Sequence, residues 1–254
     1  MTVAPTATSP RTKNRLPGSS RLSWTVMTLV SLVVAGYFAG QYATGTLQSL
    51  SARQIGLAAS YAQRPPLIQI AFYVHIVSAG LALAIGPFQF VRAVRRRRPG
   101  AHRWLGRLYL ASVGSAATAG FVMAFFNTAG MVGFFGFGAL ALLWAWTSYR
   151  GYRAIREGDF ASHRAWMIRS FALTFAAPTL RLWLGLLIGV QTLAGSQADG
   201  QQMLDNAYAS VPFLCWLPNI VVAELMIRRR DLPGLRFSTS TVQQQTAPSS
   251  EPSP

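Results

Sequence analysis

The chain has 254 residues, 51% hydrophobic and 12% charged, about half the charged share of an average soluble domain. Its 23 Lys and Arg against 7 Asp and Glu give a net charge of +16. On a soluble protein that charge points to polyanions, but here the cations fall between long apolar runs and not along one face, which argues for a membrane and against a nucleic-acid partner.

In chain order, residues 1–21 are rich in Thr, Ser and Pro and carry Arg11, Lys13, Arg15 and Arg21; they read as a disordered cytoplasmic tail. The first apolar run, 22–40, follows those cations as a signal peptide would. It is longer than the usual ~7–15-residue signal core and lacks a small-x-small cleavage site, so it reads as an uncleaved anchor. In 41–66, Leu47, Leu50, Ile55, Leu57, Ala58 and Tyr61 alternate loosely with polar residues, as in a short helix lying on the outer surface, ended by Pro65 and Pro66. Further apolar runs cover 67–90, 105–129, 132–149, 167–191 and 211–227, each near the roughly 20 residues that cross a hydrocarbon core of ~30 Å. The turn at Thr128, Ala129, Gly130 and Met131 makes spans three and four an antiparallel hairpin. Gly120, Gly130, Gly133, Gly136 and Gly138 suit close helix packing there. Cys215, the only cysteine, reads as a buried filler of the last span and excludes an intrachain disulfide or thiolate cluster. Residues 231–254 read as a second disordered cytoplasmic tail. The expectation is an all-α polytopic membrane protein, with six spans within 22–230 forming an antiparallel bundle.

Orientation follows from the Lys/Arg bias of short loops. With the N-terminus cytoplasmic, the inner segments hold Arg92, Arg95 to Arg98, Arg103, Arg107, Arg150, Arg153, Arg156, Arg164, Arg169, Arg228 to Arg230 and Arg236, besides the tail cations. The outer segments hold only Arg53 and Arg64. This predicts a bacterial inner-membrane protein with both ends in the cytoplasm, in contact with the bilayer and with anionic headgroups.

Two motifs at that inner boundary resemble each other. They are His102-Arg103-Trp104-Leu105-Gly106-Arg107 and His163-Arg164-Ala165-Trp166-Met167-Ile168-Arg169. Each is expected to close an arginine-rich loop and open an apolar helix, which makes spans two and three a candidate repeat of spans four and five; the Trp and final Arg are offset by one position. A cation at a helix start is unfavourable unless an anion joins it, and donors there can hold phosphate. His102, Arg103, Arg107, His163 and Arg164 therefore form an expected inner ligand layer. Orientation signal, with Trp104 and Trp166 as interfacial anchors, explains the same residues without a ligand.

Within the spans, His75 lies ~12 Å and Arg181 ~15 Å from the outer surface at 1.5 Å per residue. An intramembrane arginine faces a partner, water or a ligand. His75, Arg181, Tyr73 and Gln69 form an expected outer ligand layer, with Asn127 as a further lining residue. Nearer the inner end, Arg169 and Glu224 are placed to pair across spans five and six, with Asn219 extending the network, while Pro178 and Pro218 predict kinks. Haem b is an alternative ligand, on His102 with His163 or on His75 with Met123; no other metal is expected.

His75 with Gly86-Pro87-Phe88-Gln89-Phe90, His102-Arg103 to Gly106-Arg107 with Tyr109, His163-Arg164 to Trp166-Met167 and Arg169, Thr179-Leu180-Arg181, and Asn219 with Ala223-Glu224 together resemble a bacterial multi-pass membrane family, the domain of unknown function 2306. The resemblance covers 67–230 and implies an inner-membrane protein without an assigned activity. Three functional readings stand. The first is binding or moving an anionic small molecule or lipid headgroup through the His/Arg layers. The second is an electron-transfer subunit carrying haem b, loosely like the cytochrome b561 architecture. The third is a structural subunit with a partner in a membrane complex. No catalytic triad, paired carboxylates, phosphate loop or metalloprotease helix appears, so hydrolytic or transferase chemistry has no support, and a redox role stays open.

Overall fold

The structure, a computed structural model, describes residues 17–53 and 56–235. The expected disordered tails fall mostly outside the described residues, as do Arg11, Lys13, Arg15 and Arg236. Every described element is helical: α1 (Pro17–Ala43), α2 (Leu47–Ala52), α3 (Ala58–Ala62), α4 (Pro66–Gln89), α5 (Arg92–Arg97), α6 (Pro99–Ala124), α7 (Gly130–Arg156), α8 (Phe160–Thr174), α9 (Ala176–Leu193), α10 (Gly200–Tyr208), α11 (Val211–Leu214) and α12 (Leu217–Arg228).

Among the described residues, five segments are long and apolar enough to cross a bilayer: Leu22–Ala43, Pro66–Gln89, Gly130–Arg156, Phe160–Leu193 and Val211–Arg228. The expected third span, α6, has 26 residues but is less apolar, because Arg103, Arg107 and several Gly, Ser and Thr dilute it. Three expectations need correction. The 41–66 segment is two short helices, not one surface helix, and Leu47, Leu50, Ala58, Tyr61 and Ala62 are buried. The arginine runs are not loops either: Arg92 to Arg97 form α5, and Arg150, Arg153 and Arg156 extend α7 beyond its apolar run. The fifth span is broken at Phe175, between α8 and α9.

The described residues divide between Ser112 and Val113 into two compact units. In the first, α1 packs along α4, and the Trp24 indole donates to the Pro87 carbonyl at 3.2 Å. Phe72 is the hub at the other end, with Tyr42 edge-on at 5.0 Å and Tyr61 stacked at 4.6 Å. The Tyr42 hydroxyl accepts from the Leu57 backbone N–H at 2.8 Å. Gly56 passes beside that hydroxyl with φ +53°, where a Cβ would clash, so the turn requires glycine.

In the second unit α7 and α8 lie antiparallel. Trp144 donates to Thr174 at 3.0 Å, the hydroxyls of Ser148 and Ser170 meet at 2.7 Å, and Gly151 sits against Met167. The spacing 144, 148, 151 against 174, 170, 167 keeps one stripe of each helix in contact. Small side chains let the backbones approach, and hydroxyl pairs in lipid add about 0.6 kcal/mol each.

The helix breaks leave carbonyls without their usual donors, and side chains supply replacements. Pro178 has no N–H for the carbonyl one turn back. Beside that break, the Asn219 amide donates to Ala172 O at 3.2 Å, to Cys215 O at 3.1 Å and to Thr179 Oγ1 at 3.0 Å. Between α11 and α12, the Trp216 indole donates to Pro212 O at 2.9 Å and to Gly136 O at 3.2 Å. Gly136 is close enough to Pro212 that a Cβ would lie 2.6 Å from the proline Cβ. Cys215 is buried beside Pro212.

Candidate functional site

The ends of α7 and α8 that meet at residues 157–159 bring together acidic, basic and aromatic side chains of the second unit. Asp159 caps α8 by accepting from Ser162 N at 2.9 Å, which supplies one of the donors that a helix start leaves open. The Ser162 hydroxyl and backbone N–H hold the Asp159 carboxyl below its ordinary range. His163 is the fourth residue of α8, and its Nδ1 lies 2.8 Å from the Gly151 carbonyl. A carbonyl only accepts, so Nδ1 carries the proton and, in the neutral ring, Nε2 keeps its lone pair.

One turn further, two guanidinium groups lie over the Trp166 ring, Arg150 at 4.8 Å and Arg169 at 4.6 Å from its centroid. Arg150 also lies 5.6 Å from the Trp146 ring. Its fork is held by stacking, and no carboxylate among the described residues pairs with it. A cleft of about 280 Å³ opens beside it, lined by Arg150, Arg153, Glu157, Asp159, Ser162 and Trp166. Arg153 leans on Glu157 Oε1 through Nη2 at 2.5 Å and Nε at 3.1 Å, leaving Glu157 Oε2 open.

Arg169, 3% exposed, reaches the other way and grips Glu224 on α12, Nε to Oε1 at 2.5 Å and Nη2 to Oε2 at 3.0 Å. A planar fork matched to a carboxylate in this way is a geometry available to arginine and not to lysine. Glu224 thereby neutralises Arg169, and Arg150 remains as the stacked cation facing the cleft.

The family described as "Predicted membrane protein (DUF2306)" matches residues 72–227. The chain belongs to that family. No curated protein and no solved structure matches it.

Within this DUF2306 chain the sequence-predicted site residues are distributed over both units. His75, Tyr73 and Gln69 belong to the first unit and Arg181 to the second. The Gln69 amide donates to Ala62 O at 3.1 Å and to Arg64 O at 2.8 Å, closing the end of α3. Tyr73 and His75 are half-buried on α4. Arg181 bonds Ala177 O one turn back at 2.6 Å. Its charge reaches Tyr208, whose phenol burial pushes up to about 12 while Arg181 pulls it the other way. Asn127 closes the α6–α7 turn, donating to Ala124 O at 2.7 Å and accepting from Ala129 N at 2.7 Å. Asn219 serves the α8–α9 break and does not bond the Arg169–Glu224 pair.

Of the expected inner layer, Arg103, Arg107 and Arg164 are exposed, while His102 and His163 are half-buried. The cleft is built instead from Arg150, Arg153 and Trp166, of which only Trp166 belongs to a motif. A sequence signal for them existed: Trp146 with Arg150 at i,i+4 and Trp166 with Arg169 at i,i+3, spacings at which side chains on a helix meet.

Proposed function

We propose that this membrane protein binds a phosphate-bearing group, a lipid headgroup or a small anion, at the cleft between the arginine-rich ends of α7 and α8. The observation that carries the reading is Arg150, stacked on Trp166 and facing the cleft with Arg153 beside it. A guanidinium fixed by stacking loses little freedom on binding phosphate and offers it a bidentate contact. The inner-membrane location and cytoplasmic placement of both ends are part of the proposal, supported by the concentration of arginine at one set of helix ends. In the test, the full-length protein is purified in detergent and its bound phospholipid measured by native mass spectrometry. Arg150→Ala is expected to lose retained lipid while still folding with only a small drop in its thermal transition, and equal retention would refute the reading.

His163 favours a second reading. An imidazole whose Nδ1 donates to a backbone carbonyl presents Nε2 as metal-ligating histidines do, so haem b on His163 is a defined alternative. A Soret band lost in His163→Ala would support it, and a colourless preparation from haem-replete cells would sink it.

A further inference from the structure

The charges that line the cleft are ordered along α7, and that order selects among phosphate ligands. Arg150 comes first, then Arg153, then Glu157 and, just past the helix end, Asp159. From Arg150 to Glu157 the helix rises ~10 Å. Trp146, Tyr149 and Tyr152 are exposed on this same stretch, 51%, 51% and 45%, and exposed aromatic rings on a spanning helix mark the level of the headgroups. The chain leaves the membrane there whichever side it faces, so the cations lie at the deeper level and the carboxylates nearer water.

A phospholipid whose headgroup ends in an amine has the complementary order: phosphate at the glycerol side and ammonium beyond it. We infer that the cleft takes an aminophospholipid, with the phosphate on Arg150 and Arg153 and the primary ammonium on the open Oε2 of Glu157 and on Asp159. A purely anionic headgroup would meet two carboxylates at the lip, where like charges repel. A quaternary ammonium has no N–H to donate to them. This inference rests on the function proposed above and adds the ligand class.

The test uses the full-length protein in nanodiscs containing phosphatidylethanolamine, its mono- and dimethylated forms, phosphatidylcholine and phosphatidylglycerol, with bound lipid read by native mass spectrometry. The wild type is expected to retain phosphatidylethanolamine over phosphatidylglycerol by roughly tenfold, as for one charge-assisted hydrogen bond, and to lose retention stepwise with methylation. Glu157 is exposed, so Glu157→Gln is expected to fold, to keep phosphate binding and to lose most of that preference. Retention of phosphatidylglycerol at or above phosphatidylethanolamine, or a ratio unchanged by Glu157→Gln, overturns the inference while leaving the cleft a phosphate site. Unchanged binding of every lipid in Arg150→Ala removes the site itself. Free phosphoethanolamine that displaces the lipid at equal concentration overturns the lipid source in favour of a soluble ligand.

Discussion

The helix starts at His102 and His163 share a His-Arg pair and a helix position, but the aromatic and final basic residues that follow differ in exposure. Each histidine is the fourth residue of its helix, counted from Pro99 in α6 and from Phe160 in α8. Around the second, Asp159 caps the helix, the imidazole reaches a carbonyl of α7, Trp166 carries two guanidiniums and Arg169 holds α12. Around the first, Trp104 is 62% exposed, and Arg103 and Arg107 are exposed as well. A basic-aromatic motif at a membrane boundary is thus a common element that orientation alone can maintain. At His163 the turn before the helix and the neighbouring α7 add an acid, a carbonyl and a second cation to it.

That contrast can be broken by matched substitutions. The largest effect is expected from Glu224→Gln, which leaves Arg169 buried without its carboxylate and should cost about 3 kcal/mol; Arg107→Leu in the first motif should stay within about 0.5 kcal/mol. Thermal unfolding in one detergent compares them, and equal losses would erase the distinction. Next comes Trp166→Leu, which removes the surface under both guanidiniums and should cost about 1–2 kcal/mol, against a near-neutral Trp104→Leu in the same assay. The smallest effect is a pH dependence. Asp159 has its carboxyl lowered from 3.8, so its capping contribution is complete well above pH 3.8 and fades as pH falls through the lowered value. Amide exchange at Ser162 should rise over that acid range, whereas the first turn of α6, which has no acidic residue, should show no such step. An acid step at both helix starts would contradict the contrast.

Much of the helical architecture could be read from hydropathy, and most of the site could not. The apolar runs located five spans, although α7 ends and α8 begins seven residues beyond them and α6 is not among the segments apolar enough to cross, and the depth of Arg169 and Glu224 was enough to anticipate their contact. Hydropathy, however, reports where lipid ends, whereas a helix ends where its hydrogen bonds do. The apolar run of α7 stops at Tyr149, yet the helix continues to Arg156, which turned Arg150 and Arg153 from loop charges into the wall of a cleft. The sequence suggests Asn127 and Gln69 as lining residues and Asn219 as an extension of the Arg169–Glu224 network; in the structure each of the three bonds backbone carbonyls at a turn or helix break. Which carbonyls those would be depends on the breaks, and a single proline does not locate them.

The break at Phe175 has a consequence for how the chain is made. The Ala172 carbonyl receives its donor from Asn219, 47 residues later. While the protein is being synthesised, the fifth span therefore enters the bilayer with a bare carbonyl near the break. Burying such a group in hydrocarbon unpaired costs several kcal/mol, so until the last span emerges this stretch is better accommodated by water or by the insertion machinery. The last helix thus completes the hydrogen-bond set of its predecessor: a chain halted before residue 219 carries a span that lacks the donor to the Ala172 carbonyl.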